Sequence, residues 1–600
     1  MNANPNTINQ RVEQMRQAMQ RHGINAFIVP GSDAHLGEYT PERWTGRRYM
    51  SGFTGSAGTV VITADKAGLW TDSRYFLQGA RQLEGTVVAL FKDGEPETPS
   101  ITRFLIDELP AGSVVAWDSA CYSVREAEEL TEQLANFGIQ TAAADLLNEI
   151  WTNRPDVPAN PFFEHPLEYA GEATDERIAR IRQEISRHGA KAIVLTMLDE
   201  LCWAFNIRSC DVAFNPVGVG YGFIGEHEAV LFTLPEKVPA PLRASLEAKG
   251  ISVRAYEEFI PYLAQAAATG VKVFVDKGRT SQLAFETLRD GGAAFVWGTS
   301  PVTLMKSVKN SAEIAGIKRA MVRDGVALTR FFIWLKDALA RKEKISEYDA
   351  GIRLTAFRAQ QEKYVSDSFD TICGYKGNGA IVHYRAEQET ANLLEPEGIL
   401  LLDSGAQYLD GTTDITRTFA LGNTTEQQRR DYTLVLKGHI ALARARFPQG
   451  TRGNQLDILA RKPLWDLGLS YGHGTGHGVG VFMNVHEGPQ NFRTDNNPSE
   501  MLLHTFTSDE PGLYRTGEYG IRIENLILTV EKEKTEFGTF YGFETLTLCC
   551  LDNRLVVPDM LTKEETEWYN AYQETVYQTL KDALSPEEAA WLREETKPLR

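Results

Sequence analysis

Cysteine is scarce in this chain: six in 600 residues (Cys121, Cys202, Cys210, Cys373, Cys549 and Cys550), with no CxxC pair and no regular spacing. That argues against a disulfide framework and suits a reducing, cytoplasmic setting. Long apolar runs are missing too. None approaches the ~20 residues of a membrane span, and residues 1–16 lack the apolar stretch of a signal peptide. Positive charge is in deficit, 62 Lys plus Arg against 80 Asp plus Glu, for a formal charge of −18. Nucleic acid is a poor partner for such a chain, because counterion release needs clustered cations. No low-complexity tract interrupts the sequence. What remains is ordinary globular composition, 42% hydrophobic and 24% charged, which excludes wholesale disorder. Single cores stop growing near ~250–300 residues, so two to four domains are expected.

An internal repeat sets the organisation. Residues 11–23 overlay residues 177–189 at a constant offset of 166, with six of thirteen positions identical. Each copy reads as an amphipathic helix stopped by glycine, then a β-rich run, Ala26–Val29 in one and Ala192–Leu195 in the other. Two related α/β domains are expected. The Pro-rich segment 153–161 reads as their linker, and Ser300-Pro301 closes the second. Asn310-Ser-Ala-Glu313 reads as a capped start to a helical pattern reaching Leu339. The expected divisions are 1–157, 158–308 and 309–600. In the last, strands are expected at 398–403, 414–420, 473–481 and 521–530, with a polar helical tail over 562–592.

Acids on apolar strands are the anomaly. Asp403 ends the run Ile-Leu-Leu-Leu, where an uncompensated buried charge costs several kcal/mol. Asp414 follows beyond the turn-forming Asp410-Gly411. The two segments are expected to pair as a hairpin with both acids on one face. The register stays open, because Asp410-Gly411 is not centred between them, and capping a turn is the plain alternative for either acid. Glu510 precedes Pro511-Gly512. Glu524 lies in Gly520-Ile-Arg-Ile-Glu-Asn525, where alternation puts Ile521, Ile523 and Ile527 on one face and Arg522 and Glu524 on the other. A salt bridge to Arg522 is the plain alternative for Glu524. Four such acids repel one another, so protons or metal cations must compensate.

In His473-Gly-Thr-Gly-His477-Gly-Val-Gly480 glycine stands at every second position. Read as a strand, it places His473, Thr475 and His477 on one face and lets a bound peptide or a packed strand approach the other. Glycine makes a helical zinc pair improbable, and the spacing fits no phosphate loop. His383 and His486 complete the candidates. Four carboxylates and one imidazole suit two divalent cations, Mn²⁺ or another borderline metal. Two such ions can activate a water for hydrolysis, while unligated histidines donate to a carbonyl or move protons.

Together Leu402-Asp-Ser-Gly-Ala-Gln-Tyr408, Thr413-Asp-Ile-Thr-Arg417, His473 to Gly480, Asn484-Val-His-Glu-Gly-Pro489, Asp509-Glu-Pro-Gly512 and Gly520 to Asn525 resemble the dinuclear-metal pita-bread peptidases, in the aminopeptidase P (Xaa-Pro aminopeptidase) branch. The likeness extends upstream to Ser32-Asp-Ala-His-Leu36, Gly52 to Gly58, Trp70 to Tyr75 and Asp199-Glu-Leu-Cys-Trp203. It implies two duplicated creatinase-like α/β domains followed by a pita-bread α+β catalytic domain with a helical extension, the long cytosolic form. By that resemblance Asp403, Asp414, His477, Glu510 and Glu524 would be metal ligands, Asp414 and Glu524 bridging two ions, commonly Mn²⁺. His383, His473 and His486 match the substrate-binding and proton-handling histidines. A hydroxide between the metals would attack the bond after an N-terminal residue that precedes proline, in a homodimer.

Prolidase, which takes only Xaa-Pro dipeptides, is the near alternative, although such enzymes usually lack the duplicated N-terminal pair. Creatinase-like amidinohydrolases do not keep this carboxylate set. A metal-free pita-bread binding module has no need of mutually repelling acids. Two departures from the family pattern stand out. His504-Thr505 replaces a usual Gly-Met, and Ser209-Cys210 replaces a usual Gly-Ser.

Overall fold

Asn4 opens the first helix, Pro5–Arg21: its side chain accepts from the Asn6 N–H at 3.0 Å, and Pro5 lacks an N–H that would otherwise go unpaired. Ile8, Val12, Met15 and Met19 turn inward at helical spacing. Gly23, at φ +67°, ends the helix, and Ile24 N–H donates back to Met19 O at 2.9 Å. The second copy closes the same way. Thr174–Arg187 buries Ile178, Ile181 and Ile185, Gly189 stands at φ +79°, and Ala190 N–H donates to Ile185 O at 2.9 Å. This computed structural model describes residues 4–599.

The repeat extends to whole sheets. Strands β1 (Ala26–Val29), β2 (Thr59–Thr63), β3 (Ala67–Thr71), β4 (Ala89–Lys92), β5 (Val114–Trp117) and β6 (Gln140–Ala143) lie in the order β4-β3-β2-β1-β5-β6. Strands β7 (Ala192–Leu195), β8 (Tyr221–Gly225), β9 (Ala229–Phe232), β10 (Ile251–Arg254), β11 (Lys272–Val275) and β12 (Ala294–Trp297) follow the same plan, β10-β9-β8-β7-β11-β12. In each the pairings among the first three strands are antiparallel and the other pairings parallel. Both sheets belong to one compact unit, the residues up to His165 with Glu172–Leu304.

The second unit comprises Pro166–Gly171 and the chain from Met305 onward. Its long helix Ser311–Ala340 starts at the expected capping box of Asn310 and Glu313. The expected helical tail is two helices, Lys563–Leu580 and Pro586–Glu595. One apolar cluster runs from Ile317 and Phe332 through Leu402 and Leu526 to Val576.

Strands β13 (Ile372–Tyr375), β14 (Ile399–Ser404) and β15 (Ile415–Ala420) form one antiparallel sheet, with Asp403 opposite Thr416. The same register continues through Gln407 opposite Thr412 and Tyr408 opposite Gly411. The turn is therefore Leu409-Asp410, one residue earlier than Asp410-Gly411. Asp414 stands two residues before the partner of Asp403, a diagonal position on the same face.

The glycine-rich run departs from expectation. Only β16 (Gly476–Gly478) is strand, with a bulge after His477. A Cβ on Gly476 would lie 1.9 Å from Ser508 O, and one on Gly478 2.3 Å from Glu487 O. The close approach is thus made by neighbouring strands of the fold. Strands β17 (Phe506–Asp509), β18 (Gly512–Arg515), β19 (Tyr519–Arg522) and β20 (Asn525–Thr535) follow. The run 521–530 is consequently two strands, because β18 pairs with β19 whereas β20, β17 and β16 are neighbours in another sheet.

Candidate metal centre

Three of the acids stand where strands stop. Asp414 precedes β15, Glu510 lies between β17 and β18, and Glu524 between β19 and β20. Backbone bonds hold these breaks together. Glu510 N–H donates to Thr475 O at 2.7 Å, Glu524 N–H to Thr416 O at 3.1 Å and Ile523 N–H to Pro511 O at 3.3 Å. A residue inside a strand is bound to the alternation of its neighbours; at a break its side chain can turn toward a common point.

Asp414, His477 and Glu524 each offer an atom within 4.8 Å of the other two. His477 Nε2 lies 3.6 Å from Asp414 Oδ2 and 3.5 Å from Glu510 Oε1. Asp403 joins this set through its field on Asp414, Glu510 and Glu524. Arg522 is its partner, Nη2 donating to Asp403 Oδ2 at 2.6 Å. The salt bridge offered as the plain reading of Glu524 therefore belongs to Asp403. Glu524 Oε2 instead accepts from the Thr416 hydroxyl at 2.9 Å. The Ser508 hydroxyl donates to Glu510 Oε1 at 3.3 Å and accepts the His477 N–H at 2.9 Å.

Asp403, Asp414 and Glu524 are buried, and Glu510 is partly exposed. Burial, then the charges of Asp403 and Glu510, pushes the Asp414 carboxyl well above its ordinary range. Burial, then Asp414, does the same to Glu524. Glu510 is pushed up to about 7, chiefly by desolvation and against the pull of Arg522.

These residues fit divalent cations. Asp403 Oδ1 and Glu524 Oε1 are buried without a hydrogen-bond partner, an arrangement that costs free energy unless something positive meets them. His477 Nδ1 faces Gly478 O at 2.9 Å. A carbonyl only accepts, so Nδ1 carries a hydrogen, and Nε2, the nitrogen that faces the carboxylates, is the one a cation would take. Hard oxygens with one imidazole form a donor set for borderline divalent ions.

The other histidines surround this group. His486 meets His477 edge-on, ring centroids 4.3 Å apart. His473 Nδ1 donates to Gly474 O at 2.7 Å, and its Nε2 lies 2.8 Å from the Tyr514 hydroxyl. His383 follows Val382, whose carbonyl accepts from Arg522 Nη2 at 3.3 Å. Sequence reasoning missed Tyr514, Thr416 and Ser508, which are neutral and carry no spacing signal. It offered Arg522 to Glu524 only as the plain alternative, and the guanidinium goes to Asp403.

Comparison with known proteins follows the same outline. The creatinase/prolidase N-terminal domain matches residues 11–150, and a second creatinase/prolidase N-terminal model matches 153–313. Metallopeptidase family M24 matches 315–531, and the C-terminal region of peptidase M24 matches 539–599. The Probable Xaa-Pro aminopeptidase P of Tuber melanosporum (strain Mel28) is 39% identical over 616 residues, spanning 98% of this chain and 99% of the relative. Aminopeptidase P2 of Arabidopsis thaliana is 37% identical over 614 residues, spanning 96% and 86%. The crystal structure of X-prolyl aminopeptidase from Caenorhabditis elegans, a cytosolic enzyme with a di-nuclear active site, matches with a TM-score of 0.95 at 32% identity, covering 99% of this chain and 100% of that one. With both creatinase-like domains and the peptidase domain matched along its length, the chain belongs to the aminopeptidase P family of pita-bread metallopeptidases, in the long three-domain form.

Proposed function

We propose that Asp403, Asp414, His477, Glu510 and Glu524 hold two divalent cations, Mn²⁺ best matching the donor set, and that His383, His473 and His486 bind the peptide and move protons. The protein is a dinuclear-metal Xaa-Pro aminopeptidase, a cytosolic hydrolase that removes an N-terminal residue preceding proline. The same reading divides the chain at 1–157, 158–308 and 309–600 and makes it a homodimer. One observation carries the assignment: four clustered carboxylates with a single guanidinium, leaving Asp403 Oδ1 and Glu524 Oε1 unpartnered.

When bound, the cations supply Lewis acidity and a water acidic enough to act near neutral pH. The chain's own residues set the rest. Arg522 Nη1 donates to the Tyr514 hydroxyl at 2.6 Å, so the Tyr514 proton points to His473 Nε2. With Nδ1 donating to Gly474 O, Nε2 is the atom through which His473 would take up a proton. A penultimate proline has no N–H to offer, so selectivity rests on its ring and on the free amine beside the acids.

The test is a chelator-stripped enzyme reconstituted with Mn²⁺ and assayed on Arg-Pro-Pro, Arg-Ala-Pro and Arg-Pro. Cleavage of Arg-Pro-Pro alone, dependent on Mn²⁺, is expected. Turnover confined to the dipeptide supports a prolidase instead, and unaltered turnover after stripping removes the metal assignment.

A further inference from the structure

His439 lies beneath the candidate metal centre on the helix Glu426–Ala443, fully buried and named by no motif. Its ring touches Asp509 on one side and Asn525 on the other. Asp509 immediately precedes Glu510, and Asn525 immediately follows Glu524. The separations are 3.1 Å from Nδ1 to Asp509 O, 3.2 Å from Nδ1 to Asp509 Oδ2, and 2.9 Å from Nε2 to Asn525 Nδ2.

The direction of these bonds follows from the far side of Asn525. Its Oδ1 lies 2.8 Å from Arg417 Nη2, which can only donate, and 3.2 Å from the Tyr572 hydroxyl. Oδ1 is therefore the accepting atom, and the amide nitrogen must face His439. An amide nitrogen only donates, so Nε2 of His439 is the bare acceptor and Nδ1 carries the hydrogen. That hydrogen goes to the Asp509 carbonyl, with the carboxylate beside it at 3.2 Å. Arg417, itself buried and also donating to Glu524 O, anchors the far end. A chain of directed bonds thus runs Arg417–Asn525–His439–Asp509.

We propose that His439 is a positioning residue whose imidazole fixes the spacing of Glu510 and Glu524 by bracing their neighbours Asp509 and Asn525, an inference that rests on the metal assignment above. It touches none of the five proposed ligands. Its contribution is to hold two strand breaks, in β17–β18 and β19–β20, at the separation the two carboxylates need.

The experiment is calorimetric titration of the chelator-stripped full chain with Mn²⁺, alongside thermal unfolding without metal. His439→Phe keeps the ring volume and deletes both bonds; His439→Gln keeps a donor and an acceptor. The expected result is a folded His439→Phe protein that binds Mn²⁺ at least about tenfold more weakly, with affinity substantially recovered in His439→Gln. A folded His439→Phe protein with wild-type Mn²⁺ affinity overturns the proposal. Should that variant not fold, nitrogen-15 NMR of histidine-labelled wild-type protein decides: protonated Nδ1 with bare Nε2 at His439 supports the brace, and protonated Nε2 overturns it. Failure of the underlying metal reading looks different, since the wild-type chain itself would then take up no Mn²⁺.

Discussion

Asp410 and Asp403 belong to one hairpin and are both buried, yet their surroundings differ. Asp410, in the turn, has three cations around one carboxylate: Arg323 on Oδ1, and Arg319 at 3.2 Å and Lys363 at 3.4 Å on Oδ2. Asp403 shares a single guanidinium with Asp414, Glu510 and Glu524. The N-terminal unit resembles the turn: Asp211 pairs with Lys237, and Asp199 and Glu200 both pair with Arg279. Burial of an acid is therefore common in this molecule, and the clustering of four acids about one guanidinium marks the site.

Neutralising substitutions break the comparison most forcefully. Asp414→Asn and Glu524→Gln each remove a repelling charge, so the metal-free protein should unfold at the same temperature or higher. Turnover with Mn²⁺ should fall at least ~10³-fold, since the variants lose a ligand for which no neighbour substitutes. Asp410→Asn should do the reverse, costing about 3 kcal/mol because three cations lose their partner, with kcat unchanged in the protein that remains folded. Urea unfolding and steady-state assays read both. A destabilised Asp414→Asn protein with near-normal kcat would reverse the distinction.

A second test separates proton handling from metal holding. His473→Ala and Tyr514→Phe should lower kcat by ~10²-fold while Mn²⁺ content by elemental analysis stays at the wild-type value. Equal loss of both would make His473 a ligand.

Acidity offers a third test. Glu510 is pushed from 4.5 up to about 7 in the folded, metal-free protein, and Asp414 and Glu524 are raised as well. Between these limits the folded state holds protons that the unfolded chain has lost. Stability of the stripped protein is therefore greatest below the window and declines as pH rises through it. Cations must displace those protons, so Mn²⁺ affinity should rise with pH up to about 7 and binding should release protons. Calorimetry in buffers of different ionisation enthalpy measures both, and a pH-independent affinity would deny that the acids are protonated.

Much of this was legible in the chain because the signals were local. The duplicated helix stops repeat Gly23 at Gly189, and the helix from Ser311 announces itself through Asn310 and Glu313. The hairpin of Asp403 and Asp414 followed from two apolar runs, but its register did not. Asp-Gly ordinarily forms the turn, whereas here Arg319, Arg323 and Lys363 draw Asp410 inward, so that the turn is Leu409-Asp410. The single strand expected over 521–530 failed at Ile523-Glu524 because the bonds that break it there come from Thr416 and Pro511, distant in sequence. Tyr514 was invisible for the same reason: its partners are His473 and Arg522 on other segments.

The smallest test asks whether every unrepaid cost in the molecule is functional. His504 stands at φ +66°, a left-handed conformation that glycine adopts freely and most side chains resist. Its backbone is engaged on both sides, N–H donating to Thr529 O at 2.9 Å and O accepting from Lys309 N–H at 3.1 Å. Glycine would keep both bonds and lose only the clash of Cβ with its own chain. His504→Gly should therefore stabilise the protein by about 1 kcal/mol with kcat and Mn²⁺ affinity unchanged. The contrast with the acids is then complete in kind: strain at His504 can be relieved without loss, whereas repulsion among Asp403, Asp414, Glu510 and Glu524 can be relieved only by removing a proposed cation ligand. A drop in kcat on His504→Gly, measured beside unfolding in urea, would place that loop in the catalytic machinery and end the distinction.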